Sequence, residues 1–502
     1  MTSHRTAGRL SGRLVIVNLG VLAAPLAMFL ISLLVTGGET NLQILITLAS
    51  LFVTCLVVGG LGVSRFMTTR YRITDGRFEL SSGLLFRSRH SVPIARVRSV
   101  DLTANPLHRL FGLTTLRIDT GGQGGSAVRG LRLDGITTVD AAELRRRIIE
   151  QRGTSPAIPD GDGLISALDR SWLRYAPLTV WGVGGVLAAA GTVYRVLREM
   201  KIDPLELGVV KDLIHRFGSV PLWYGVLLAV LALVALGVVC STAAFIESWS
   251  GYELRRGEGG VLRIRRGLLA TRSVSMEESR LRGVELVEPI PLRWARGARL
   301  NAVTSGLGDR EENRRRRALT PPVPRAEALL VAADVLRERE LLARDGLAPH
   351  PRAALRRRIS RALTAAVLIA AVPAALGLWL GPALVTTGWV TGLVLVPILT
   401  AFAYGAYRAL GHGMRGRYLT TTYGAFARRT VVLRRDGIIG WTITRSPFQR
   451  RAGLLTLGAT TSAGDGVYRV RDVSVDQGLT LAETAVPRLL APFVEWERQD
   501  LH

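Results

Sequence analysis

At 502 residues, 48% hydrophobic and with a formal charge of +26, the chain is long enough for three or four domains and too apolar to be disordered. Charge and hydrophobicity are segregated: runs free of any charge alternate with arginine-rich stretches, which excludes a single soluble globule. Lysine is confined to Lys201 and Lys211 and cysteine to Cys55 and Cys240, so neither a disulfide framework nor a cysteine-ligated zinc site has residues to build it.

A bilayer core of ~30 Å is crossed by ~20 apolar residues in a helix. Residues 14–38 and 40–64 are charge-free on either side of Glu39, and the pair predicts a first helical hairpin within 1–64. It is too long, and too closely followed by a second run, for a cleaved signal peptide. Residues 175–194 and 217–246 predict a second hairpin within 153–246, after a linker. The run 362–407 is too long for one helix. Gly381-Pro382 and Gly388 offer a break, giving a third hairpin within 346–407 and six spans in all. Arginine flanks the first and third hairpins (Arg5, Arg9, Arg13, Arg65, Arg70; Arg352, Arg356, Arg357, Arg358, Arg361, Arg408, Arg415) and is absent from their inner turns. That asymmetry predicts a cell-membrane protein with both termini cytoplasmic. The loop Arg195–Arg216 mixes five basic with four acidic residues and reads as an amphipathic external connection.

Each hairpin precedes a polar segment of domain size, 65–152, 247–345 and 408–502, and the three share a motif. The first carries Pro106-Leu107-His108-Arg109-Leu110-Phe111-Gly112. The second carries Pro291-Leu292-Arg293-Trp294-Ala295-Arg296-Gly297, and the third Pro447-Phe448-Gln449-Arg450-Arg451-Ala452-Gly453. Gly83, Gly267 and Gly424 precede the prolines by 23, 24 and 23 residues, and Tyr71, Tyr252 and Tyr418 open the units. In the third unit Gly424 follows Tyr418 after six positions, which predicts a shortened opening hairpin. In the first, Tyr71, Ile73, Phe78 and Leu80 alternate around Asp75-Gly76, a hairpin-turn signal. Val97, Val100, Leu102, Leu116 and Ile118 suggest later strands, and Val139–Gln151 a closing helix with Leu144, Ile148 and Ile149 on one face. The third unit closes in a helix with Thr480 and Glu483 spaced as a capping box. In the second, Arg325–Arg344 closes the unit after Pro321, Pro322 and Pro324, which bound a basic loop. The expected fold class is therefore α+β, a β-sandwich or barrel with a C-terminal helix behind each of three hairpins.

Tyr71-Arg72-Ile73-Thr74-Asp75-Gly76, Gly83-Leu84-Leu85, Val92-Pro93-Ile94 with Val97, and Pro106-Leu107 with Arg109 and Gly112 resemble the bacterial pleckstrin-homology membrane proteins. The three-fold layout is similar to their long YdbT-type members, over almost the whole chain. The resemblance implies a pleckstrin-homology-like fold, two sheets capped by a helix, at the cytoplasmic membrane face. It implies no established activity.

Chemistry-bearing patterns are scarce. Neither lysine follows a glycine, so there is no P-loop; the nearest histidines, His90 and His108, are 18 apart; there is no Gly-x-Ser-x-Gly elbow. Gly121–Gly125 reads as a strand connection, and no predicted span carries a charge away from its edges, unlike ion-coupled carriers. We therefore expect no enzyme, no metal and no cofactor. The candidate lipid- or partner-contacting residues are Arg314, Arg315, Arg316 and Arg317 in the basic loop, and Arg356, Arg357 and Arg358 beside the fifth span. Pro106, Arg109, Gly112, Pro291, Gly297, Pro447, Arg450 and Gly453 are the repeated structural motif. The expected function is a non-enzymatic multi-pass membrane scaffold whose three domains bind protein partners or anionic lipid. The partners include a smaller single-unit relative or further copies of the chain, but not nucleic acid. The alternative is a component of a transport or export assembly.

Overall fold

The computed structural model describes most of residues 69–151, 163–178, 222–305 and 316–490, together with 6–9, 11–13 and isolated positions of 46–68 and 185–195. The predicted first hairpin lies outside the described residues but for isolated positions, and so does the predicted span at 175–194 beyond 175–178, where Tyr175 and Ala176 are buried. The chain falls into two compact units, Met1–Met276 and Glu277–His502.

In the first unit, β1 (Thr6–Arg9), β2 (Arg70–Thr74), β3 (Arg77–Ser82) and β4 (Ser88–Pro93) form an antiparallel sheet in chain order. Gly76, at φ +70°, turns β2 into β3. Ile73, Phe78 and Leu80 point inward, while Arg72 and Glu79 pair on the outer face at 2.8 Å. A second sheet runs β7-β6-β5-β11-β10-β9-β8, from β5 (Ser99–Thr103), β6 (Leu113–Asp119), β7 (Leu131–Thr137), β8 (Leu164–Ala167), β9 (Glu253–Gly257), β10 (Val261–Arg266) and β11 (Arg272–Glu277). The inner faces of β2–β4 and β5–β7 share one core with Ala141, Leu144 and Ile148 of α1 (Thr138–Gln151). The apolar helix α2 (Leu222–Trp249) leads into β9. At its end Trp249 packs edge-on to Tyr252 at 5.6 Å, and the Arg266 guanidinium lies 4.2 Å over the Trp249 ring.

The second unit contains β12 (Leu281–Pro289), α3 (Ile290–Trp294), β13 (Gly297–Thr304), β14 (Val323–Pro324), α4 (Arg325–Leu336), α5 (Arg352–Leu380) and α6 (Pro382–Arg408). It continues with β15 (Gly411–Arg415), β16 (Tyr418–Tyr423), β17 (Ala427–Arg434), β18 (Ile438–Thr444), α7 (Pro447–Arg451), β19 (Leu454–Thr461), β20 (Val467–Ser474) and α8 (Val475–Ala485). One sheet has the order β14-β13-β12-β17-β16-β15 and the other β18-β19-β20. Val431, Leu433, Leu455, Leu457, Val470 and Leu481 lie in the core between β15–β17, β18–β20 and α8. The segment 247–345 is thus divided: β9–β11 extend a sheet of the first unit, and β12–β14 with α4 belong to the second.

Among the described residues, three helices are long and apolar enough to cross a membrane: Val230–Trp249 within α2, α5 and α6. Gly381, at φ +132°, breaks the long apolar run between α5 and α6 as expected. Gly388 does something else. It lies inside α6, where an added Cβ would stand 2.6 Å from the Ala374 Cβ, so it lets the two helices approach closely.

Two local expectations are corrected. The third opening hairpin is full length: β15 precedes Tyr418, Gly416 turns at φ +53°, and Tyr418 sits on the second strand. Tyr418 is thus one strand later than Tyr71 in its unit, and β15 is hard to see in the sequence because Gly411-His412-Gly413-Met414 has no strand-like alternation of large apolar residues. The last helix is capped by Ser474, whose hydroxyl accepts from the Gln477 amide at 3.3 Å. Thr480 is in mid-helix, and the earlier Ser-x-x-Gln signal starts the helix six residues sooner.

In three places a strand segment pairs with one that lies beyond a predicted hairpin in the sequence. β1 pairs antiparallel with β2, Thr6 opposite Ile73 and Arg9 opposite Arg70. β8 pairs with β9, Ala167 opposite Glu253, and Ala348 bridges His412.

Candidate functional site

One group of buried polar side chains lies where the α5–α6 hairpin meets β15 and β20. His350 stands just before Pro351 and α5, and His412 follows α6, so the two ends of one hairpin bring the imidazoles together. The rings meet edge-on, centroids 4.7 Å apart, with His412 Nδ1 3.0 Å from His350 Nε2. His350 Nδ1 lies 3.1 Å from the Asp472 carbonyl, which can only accept. Nδ1 of His350 therefore carries the proton, its Nε2 accepts, and His412 Nδ1–H donates to it. With both rings doubly protonated, donor would face donor across this contact. Burial pushes the His412 pKa down to about 4, with the neighbouring His350 adding to the effect, and burial likewise lowers His350. The Tyr407 hydroxyl donates to the His350 carbonyl at 2.9 Å.

Asp472 anchors the other half. It is buried at φ +58°, in the left-handed region that Asp tolerates better than most residues. Its carboxylate accepts from Arg357, from Arg358 at 2.8 Å and from Gln449 Nε2 at 3.0 Å. Gln449 also closes a capping box with Ser446 at the start of α7, within the Pro447–Gly453 motif. One carboxylate thus ties the first turns of α5 to the motif helix of the following sheet.

The second polar concentration is the β12–β17 seam. These strands pair antiparallel from Gly283 opposite Leu433 to Pro289 opposite Ala427. Glu285 and Glu288 of β12 are 1% and 2% exposed. Arg428 grips Glu288 with two bonds of 2.7 Å, and Arg325 of α4 reaches it at 3.2 Å. Arg429 donates to Glu285 at 2.9 Å, and Arg317 lies 3.6 Å from it while bonding Asp465 at 3.2 Å. The first unit has a seam of the same kind, β5 beside β11, with Thr103 opposite Arg272 and Leu102 opposite Ser273.

Two turns between strands carry apolar tips alongside the helix ends. Leu268 and Leu269, after Gly267, donate backbone N–H groups to Glu247 at the end of α2. Phe426, after Gly424, stacks on Phe402 of α6 at 4.6 Å. All three tip side chains are exposed, which gives the Gly-Leu-Leu pattern a physical meaning: greasy tips held beside apolar helices.

Of the residues singled out beforehand, Arg314, Arg315, Pro106 and Arg109 lie outside the described residues. Arg316 and Arg317 are buried, and Arg317 serves the seam. Arg357 and Arg358 turn to Asp472, whereas Arg356 is exposed, together with Arg352 and Arg361 on the same helix. Gly112 and Gly453 adopt φ +66° and +62°, and the Gly112 carbonyl accepts from the Thr138 amide at the start of α1. Gly297 does not share that conformation. α3 starts at Ile290, one residue ahead of Pro291, so the left-handed position falls on Arg296 at φ +56°. Arg450 is exposed on α7. The sequence signals for His350, His412, Asp472 and Gln449 are weak: the four are far apart in the chain, and only the closure of the hairpin joins them. Among the described residues no three His, Cys, Asp or Glu side chains gather as a metal site.

A family model described as Bacterial PH domain matches residues 17–152 and 364–485, together just over half of the chain. The chain is also 21% identical over 424 residues, 80% of its own length and 82% of the relative's, to the UPF0699 transmembrane protein YdbT of Bacillus subtilis (strain 168). No solved structure matches. With three membrane-length apolar helices and a transmembrane relative, the chain is a membrane protein; with its paired sheets, closing helices and family match, it belongs to the bacterial PH domain family.

Proposed function

We propose that the chain is a non-enzymatic multi-pass scaffold in the cell membrane, with three PH-like domains on the cytoplasmic face that hold protein partners against the bilayer. The observation that carries this reading is the pair of seams, β5 with β11 and β12 with β17. They turn strand edges, which a free-standing binding module would leave open, into joints between strands of consecutive repeats. The polar clusters point the same way, since their charges are spent on one another. Anionic lipid headgroups are a supporting contact through Arg352, Arg356 and Arg361, which are exposed, each contributing about 1 kcal/mol near a charged surface.

The strand pairs that close the hairpins support three hairpins of two spans each. A segment that leaves a sheet and returns to pair with it, as between β1 and β2, β8 and β9, or Ala348 and His412, crosses a bilayer an even number of times. For the middle hairpin this asks for a second span beside α2, for which 175–194 is the apolar candidate. Close packing of α5 and α6 through Gly377, Gly388 and Gly392 favours assembly over a polar transport path. Reporter fusions after Leu102, Glu285 and Gly453 test the topology: all three are expected to give the cytoplasmic signal, and one external signal overturns the reading. Copurification of the detergent-solubilised chain with its cross-linked neighbours, identified by mass spectrometry, then tests the scaffold role. Recovery of the chain with no partner would refute it.

A further inference from the structure

The two seams follow one rule. β5 is the first strand of the second sheet of one domain, and it pairs antiparallel with β11, the last strand of the first sheet of the next. β12 and β17 occupy the same places one domain further on. Applied to both ends of the chain, the rule leaves two strands over: β18, the counterpart of β5 and β12, and β4, the counterpart of β11 and β17. Among the described residues β18 pairs only with β19, and β4 only with β3.

β18 reads Ile-Ile-Gly-Trp-Thr-Ile-Thr, without a charge or a proline. Proteins protect bare sheet edges with Lys, Pro or a covering element, because an uncharged β-branched edge recruits other strands. Where β12 has its partner it is largely buried from end to end, whereas on β18 Ile439 and Ile443 are 64% and 41% exposed, and Thr442 and Thr444 are exposed too. β4 (Ser-Arg-His-Ser-Val-Pro) exposes Arg89, His90 and Ser91. It is the complementary end that every copy of this chain carries.

We infer that β18 of one copy takes β4 of a second copy as an antiparallel strand, extending the internal seam rule between chains in a head-to-tail assembly. The inference rests on the scaffold reading, which puts both strands on one side of the membrane. The register follows from the first seam. Thr103 stands three residues before Pro106 and faces Arg272, five after Gly267. The corresponding pair is Thr444 with Ser88, which sets Thr442 opposite His90; the second seam, with Glu288 facing Arg428, gives the same register within one residue. Neither strand carries an acid, so the joint consists of backbone hydrogen bonds and apolar contact and resists salt, unlike the Glu–Arg seam. The contact is heterologous, so copies add in one direction until a ring closes or the row ends.

The test uses the full chain in its membrane, with Cys55 and Cys240 replaced by Ala. One tagged copy carries Thr442→Cys and a differently tagged copy His90→Cys. Mild oxidation is expected to yield the mixed disulfide. Proline at Thr442 and, separately, at Ile443 probes the same edge, because successive N–H groups of a strand point to opposite sides. The variant whose outward N–H is lost keeps its fold and is expected to lower cross-linking roughly tenfold or more. An impermeant maleimide reports the side of each cysteine. If both cysteines are reactive on one side and no mixed disulfide forms, the assembly is refuted and the scaffold reading stands. Cysteines on opposite sides refute both. A disulfide from Thr442→Cys to a cysteine placed in 491–502 of its own chain also overturns the inference, by making the tail the strand's cover.

Discussion

Replacing Asp472 with Asn removes one charge from the junction of hairpin and sheet while keeping size and backbone preference, since Asn also tolerates φ near +58°. The carboxylate faces Arg357 and Arg358, whose side chains are only 16% and 17% exposed, and it is 5% exposed itself. Withdrawing one partner of a buried pair strands the other charge at a cost of about 3–5 kcal/mol. The asparagine oxygen still accepts one bond, which places Asp472→Asn near about 3 kcal/mol. Asp472→Ala loses that bond and meets the left-handed backbone without a polar side chain, adding about 1 kcal/mol. For a unit of this size each kcal/mol moves Tm by about 2–4 °C, so Asp472→Asn is expected to lower Tm by about 6–12 °C. Thermal unfolding of the full chain in detergent, followed by near-UV circular dichroism, measures the shift. A Tm within 2 °C of the parent would mean that water already solvates both guanidinium groups, and the reasoning would fail.

The histidine pair makes the same junction sensitive to acid. His412 is depressed to about 4 in the fold against an ordinary 6.5, so its contribution is complete at neutral pH and is lost as pH falls from about 6.5 to 4, about 3 kcal/mol over that window. The lowered His350 acts in the same direction, and His412→Gln is expected to flatten the pH profile of Tm. Gly388→Val drives a Cβ to 2.6 Å from Ala374 and should destabilise the hairpin by about 1–3 kcal/mol, read as loss of thermal stability in detergent. Arg296→Gly relieves a left-handed arginine and is expected to stabilise by about 1 kcal/mol, raising Tm. Gly112→Val places a β-branched residue at φ +66° and should cost roughly 1–3 kcal/mol; an unchanged Tm would make that glycine incidental.

The legible parts of this fold were those set by local rules. The Asp75-Gly76 turn, the break at Gly381-Pro382 and the face of α1 follow from backbone preference and periodicity alone. β1, β8 and the Ala348 bridge are four residues or fewer, and among the described residues their partners lie far along the chain, so no periodic signal marks them. The seam was hidden for another reason. Glu285 and Glu288 are three apart and fall on opposite faces of β12, and the burial of both depends on Arg428 and Arg429 arriving from another segment. The basic loop misled similarly: an arginine run looks like surface, yet Arg317 is drawn inward by Glu285 and Asp465. Charge in the sequence gives a side chain's need for a counter-charge, not where that counter-charge will be found.

The seam also has a consequence in time. Glu288 and the arginine that grips it are 140 residues apart, with the whole α5–α6 hairpin between them. At roughly 5–20 residues per second of synthesis, β12 waits about 7–28 s for β17 to be made. During that wait its edge is bare and its two carboxylates must stay in water. The acids that lock the finished seam are thus also the charges that keep the unfinished strand from pairing with a neighbouring nascent chain.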